Sequence, residues 1–130
     1  MTNTVLVCLY DPVQKRGGMA HFFKKNVPDQ YDPTPIYALP AIMGLWRMVL
    51  STALEKSSLE AHVIGDAHSH SRYADSLSSL AVKILRERNV DILSVCTGGE
   101  LGRKVSMNTH SGEVLIARVS GVRKSDWVNA

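Results

Sequence analysis

The residues able to do chemistry in this chain are few: five histidines, two cysteines and a scatter of hydroxyls. His21 stands out because it lies inside the apolar run Met19-Ala20-His21-Phe22-Phe23. An imidazole in such a run must be hydrogen-bonded or face a cleft, so it is either a satisfied structural group or a proton carrier. His68-Ser69-His70 could offer two imidazoles from one loop to a metal ion. Tetrahedral sites need three or four ligands, however, and His21, His62 and His110 fall in separate elements. The expectation is no metal and no cofactor, with a His68/His70 metal-dependent hydrolase as a minor reading. Cys8 and Cys96 sit far apart in apolar stretches, which predicts buried, reduced thiols rather than a disulfide. No phosphate-cradling glycine loop, Cys-x-x-Cys pair or His-Glu-x-x-His helix is present.

The elements that must position these groups can be drawn from the apolar pattern. Val5-Leu6-Val7-Cys8-Leu9-Tyr10, stopped by Asp11-Pro12, is almost wholly apolar and predicts a central strand covered on both faces. Lys15-Arg16-Gly17-Gly18 predicts a turn, after which Met19 to Phe23 forms a second strand carrying His21. Lys24 to Pro35, broken by three prolines, predicts a surface loop. Leu39, Ile42, Met43, Trp46, Val49, Leu50, Ala53 and Leu54 recur at steps of three and four, the signature of a helix with Pro40 in its first turn. Leu59 to Ile64 predicts a strand. Leu77, Leu80, Ala81, Ile84 and Leu85 mark a second helix, with Asp75 or Ser76 as its cap. Ile92 to Cys96 predicts another strand, and residues 103–108 and 113–119 flank Thr109-His110-Ser111-Gly112 as a hairpin. The order β-β-α-β-α-β-β-β predicts an α+β or layered domain with two main helices on a mixed or antiparallel sheet.

Composition narrows the class. The 130 residues are 45% hydrophobic, enough for one core and too few for two, so residues 1–130 are expected to form a single domain. The formal charge is only +3 and the basic residues are scattered, which argues against nucleic acid as the main partner. The longest apolar window, Ala38 to Leu54, is interrupted by Pro40, Gly44 and Arg47, so membrane insertion is not expected. No basic leader or small-residue cleavage site is visible at the start, and a cytoplasmic location is the expectation.

Three sets of residues together resemble one family. Val5 to Pro12 followed by Gly17-Gly18-Met19-Ala20-His21-Phe22 resembles the opening of CheD, the chemoreceptor glutamine deamidase of chemotaxis. Thr97-Gly98-Gly99-Glu100-Leu101-Gly102-Arg103-Lys104-Val105, the turn at Ser111-Gly112 and Val114 to Val119 look like its closing strands. Tyr37-Ala38 and Ile64-Gly65-Asp66-Ala67 look like its middle. The resemblance implies an α/β/β layered fold and hydrolysis of glutamine side-chain amides on chemoreceptor proteins. It implies further that a cysteine entering the first strand is the nucleophile and that a histidine on the next strand moves the proton. That histidine carries over to His21. The nucleophile does not, because the family's Gly-Ser-Cys is Thr2-Asn3-Thr4 here and Thr4 takes the cysteine's position, seventeen residues before His21.

The departure has chemical weight. A thiol with an ordinary pKa of about 8.5 is partly ionised near neutrality, whereas an alcohol is scarcely ionised and needs a better assembled base. Cys8 is a second candidate, but four residues of extended chain put it about 13 Å from Thr4 at 3.3 Å per residue. Two readings follow: a CheD-like deamidase using His21 with Thr4 at the nucleophile position, or a catalytically silent adaptor that binds chemoreceptors or a CheC-like phosphatase.

Overall fold

The computed structural model describes residues 4–25, 27, 34–50, 58–65, 77–97 and 102–119. Its elements run β1 (Val5–Asp11), β2 (Arg16–Phe22), α1 (Ala38–Leu50), β3 (Glu60–Gly65), α2 (Leu77–Glu87), β4 (Asp91–Thr97), β5 (Gly102–Met107) and β6 (Val114–Val119). The expected order of elements is the observed one, and the fold is α+β. Four strands form a mixed sheet ordered β2-β1-β3-β4, in which β1 pairs antiparallel with both neighbours and β3 pairs parallel with β4. The parallel step is made through α2, the crossover that such a pair requires.

Strand alternation sorts β1 into two faces. Val5, Val7 and Leu9 are fully buried and join Phe22, Ala61 and Val63 against Ile42, Leu45 and Val49 of α1 and Leu77, Ala81 and Leu85 of α2. Leu6, Cys8 and Tyr10 therefore point away from the helices. On that side the β5–β6 hairpin forms a third layer. The Tyr10 hydroxyl donates to the His110 carbonyl, and a Cβ on Gly17 would stand 2.6 Å from the Met107 methyl. β1 is thus covered on both faces, as its unbroken apolar pattern requires.

Two features differ from expectation. Arg16-Gly17-Gly18 belongs to β2 rather than to the turn, with Gly17 opposite Tyr10 and Gly18 opposite Leu9. The turn is Pro12 to Lys15, closed by the Asp11 carboxylate, which accepts from the backbone N–H groups of Val13 and Gln14 and from the Gln14 side chain. The glycines are in the strand because other chains approach them closely: a side chain on Gly17 would meet Met107 and the Leu9 carbonyl, and one on Gly18 would meet Leu45. Cys96 is half-buried rather than buried, because β4 is an edge strand. Ala53 and Leu54 of the expected first helix and the Asp75 or Ser76 cap lie outside the described residues.

Helix ends follow ordinary capping rules. α2 closes with Val90 N–H donating to the Leu85 carbonyl and Asn89 N–H to Arg86, with Asn89 left-handed at φ 57°. That is a Schellman-type end, in which asparagine is a tolerated alternative to glycine. α1 starts beside the strand it serves, since Ala38 N–H donates to the Lys24 carbonyl. Among the described residues no helix is long and apolar enough to cross a membrane.

Candidate active site

The β1–β2 register puts His21 directly opposite Leu6, on the face turned away from the helices. Continuing the alternation one residue before β1 puts Thr4 on that same face, across from Phe23. Thr4 and His21 are then diagonal neighbours on adjacent strands, a relation that spans about 7–8 Å between backbones and is bridged by side chains. Thr4 is half-buried and His21 exposed, so this end of the sheet is open. The Phe23 ring lies 4.9 Å from the imidazole at a 47° tilt and limits its freedom. Partial burial pushes the His21 pKa below the ordinary 6.5, which keeps the ring neutral near pH 7 and able to accept a proton.

Gly65, at the end of β3, is opposite Val5. A Cβ there would collide with the Thr4 carbonyl oxygen and stand 2.9 Å from the Val5 Cα. The missing side chain thus lets β3 close on the chain where Thr4 leads into β1. Sequence reasoning gave Gly65 no role at the site, although a glycine ending an otherwise apolar strand is a recognised sign of close backbone approach.

Cys8 occupies the opposite diagonal. It faces Met19 on β2, two residues beyond Leu6, so pairing alone puts His21 midway between Thr4 and Cys8. Exposure separates them. Cys8 is only 1% exposed, and that burial pushes its thiol up to about 11. A thiol so held is neutral at physiological pH and inert as a nucleophile.

Further along the same face lies a polar pair that the sequence did not single out. His62 is opposite Cys8 on one side and Ser94 on the other, and its Nδ1 is 2.6 Å from the Ser94 hydroxyl. Burial lowers the His62 pKa, with the Glu60 carboxylate acting against it. Arg103 Nε donates to the Cys96 sulfur at 3.3 Å, linking β5 to β4. Among the described residues no group of His, Cys, Asp and Glu is arranged to hold a metal ion. His68 and His70 lie outside the described residues.

A family model described as CheD chemotactic sensory transduction matches residues 24–118, beginning three residues after His21. The chain is similar to a probable chemoreceptor glutamine deamidase CheD of Trichlorobacter lovleyi, 35% identical over 122 residues that cover 89% of this chain and 76% of the relative. It is also similar to the chemoreceptor glutamine deamidase CheD of Thermotoga maritima, 29% identical over 123 residues covering 92% and 78%. A third relative, a probable chemoreceptor glutamine deamidase CheD of Agrobacterium fabrum, is 30% identical over 131 residues covering 97% of this chain and 72% of the relative.

Proposed function

The chain belongs to the CheD family, and from that premise we propose that it is a protein-glutamine deamidase acting on chemoreceptors, with His21 as proton carrier and Thr4 in the nucleophile position. The observation that carries this reading is the shared open face of Thr4 and His21, set against the sealed Cys8. In the first half-reaction the Thr4 hydroxyl oxygen attacks the carbonyl carbon of the glutamine side chain as its proton passes to the His21 imidazole. The C–N bond then breaks, His21 returns the proton to the departing ammonia, and an ester links Thr4 to the substrate. Water attacks that ester with His21 as base, releasing glutamate and restoring the hydroxyl. An alcohol is a far weaker nucleophile than a thiolate here, so turnover is very slow.

That weakness also favours the second reading, an adaptor that keeps the fold and binds a chemoreceptor or a CheC-like phosphatase without turnover. Ammonia release from a chemoreceptor cytoplasmic fragment separates the two. Thr4→Cys is expected to raise the rate by several orders of magnitude, and His21→Ala to abolish it. The acid limb of the Thr4→Cys pH–rate profile should fall below pH 6.5, following the lowered His21 pKa. No gain in Thr4→Cys selects the adaptor. Activity that survives Thr4→Ala but is lost in Cys8→Ser would move the nucleophile to Cys8.

A further inference from the structure

A groove of about 370 Å³ lies at the outer edge of β2 beside α1, and His21 is among the residues that line it. Its lining includes Met19, Pro40, Gly44, Leu45 and Met48, and none of its lining residues is acidic. Met19 is 47% exposed and Met48 69%, and Phe23, Ile36 and Leu39, in or next to the same two elements, are exposed apolar side chains as well. Flexible methionines on such a surface accommodate apolar side chains of varied shape.

Gly44 gives the groove its depth. It lies in the interior of α1, where glycine costs about 1 kcal/mol relative to alanine. Yet a Cβ built there meets nothing within 4 Å. Packing among the described residues therefore does not demand a glycine, and its effect is to leave the groove wall bare. The volume is near the lower end of the roughly 300–1,000 Å³ typical of ligand pockets, which suits a few side chains of a larger partner.

Among the described residues, several cations stand in or next to β2 and α1. Lys15 and Arg16 stand at the Met48 end, where Arg16 donates to the Met48 carbonyl. Lys24 and Lys25 follow β2 at the His21 end. Arg47, exposed and three residues after Gly44, lies on the α1 lip, since residues that far apart are neighbours on a helix surface.

We propose that this groove docks an acidic amphipathic segment of the substrate protein, whose apolar side chains enter beside Gly44 and whose carboxylates meet the surrounding Lys and Arg, so that a glutamine in the segment is presented at His21. The inference rests on the deamidase reading for what is presented, while docking itself needs no turnover. Charge complementarity supplies register and encounter rate, and the apolar anchors supply affinity.

The test uses the full chain and a labelled 20-residue amphipathic peptide with Glu and Asp on its polar face, Leu and Ala on the other, and one central Gln. A twin carries Lys in place of every acid. Fluorescence anisotropy should show the acidic peptide bound and the basic twin at least tenfold weaker. Gly44→Leu, which fills the groove, should weaken the acidic peptide at least tenfold without lowering Tm. Arg47→Glu should weaken it several-fold and flatten the dependence on salt. Failure of the acidic peptide to bind, equal binding of the twins, or unaltered binding in both Gly44→Leu and Arg47→Glu overturns the proposal. Ammonia release by the Thr4→Cys chain on the same peptide is followed in parallel. Binding without release in that variant sinks the deamidase reading and leaves the groove standing, whereas release unaffected by Gly44→Leu does the reverse.

Discussion

Cys8 and Cys96 differ in environment more than their similar apolar sequence contexts suggest. Cys8 is sealed and held neutral by burial, whereas Cys96 is half-buried on an edge strand with the Arg103 guanidinium donating to its sulfur. Iodoacetamide at pH 7.5 should therefore modify Cys96 at least tenfold faster than Cys8 in the native protein, with equal rates in urea, as read by peptide mass spectrometry. Similar rates in the native protein would contradict the described packing. Burial of Cys8 was legible in Val5 to Tyr10, because a run apolar on both faces needs two covering layers. The partial exposure of Cys96 was not legible, since strand order, not local composition, decides which strand lies at an edge. The position of His62 against Ser94 was hidden for the same reason: β3 and β4 are joined by a crossover, and register across it leaves no local trace.

Turns and glycines show where local reading succeeds and where it misleads. The hairpin at Thr109 to Gly112 was readable from the turn residues between two extended runs, although β5 stops at Met107 and Asn108, expected to end the strand, belongs with Gly112 to the turn for a mechanical reason. The Asn108 side chain accepts from the N–H groups of His110 and Ser111, and Gly112 is left-handed at φ 82°. Gly17-Gly18 carries the same composition but serves close packing, and only the tertiary neighbours distinguish the two uses. At Gly112 both reasons coincide, since a Cβ would also enter the Tyr10 ring. Gly112→Ala should cost roughly 1–3 kcal/mol in urea unfolding, combining backbone strain with lost docking of the third layer. Tyr10→Phe, which removes only the hydroxyl bond to His110, should cost about 0.5–1.5 kcal/mol. A larger loss in Tyr10→Phe than in Gly112→Ala would show that this bond, not ring packing, holds the hairpin down.

The molecule as a whole keeps two imidazoles, His21 and His62, on the face that carries the third layer, and burial lowers the pKa of both. The unfolded chain, with histidines near 6.5, binds more protons than the native state between 6.5 and the lowered native values. The contribution of these groups to stability is therefore fully present above pH 6.5 and is lost as pH falls through that window. Urea midpoints measured at pH 7, 6 and 5 should decline, and His62→Gln should make the decline shallower. A midpoint that does not change from pH 7 to 5 would contradict this assignment. The layered arrangement was readable from the order of elements, while the open groove beside α1 was not, because a helical glycine looks the same whether it packs or clears space. The bond from Tyr10 to His110 spans one hundred residues of sequence and has a temporal consequence. A ribosome releases β1 early and the β5–β6 hairpin late, so the Tyr10 ring emerges before the turn that packs on it exists, and this layer can close only near the end of synthesis.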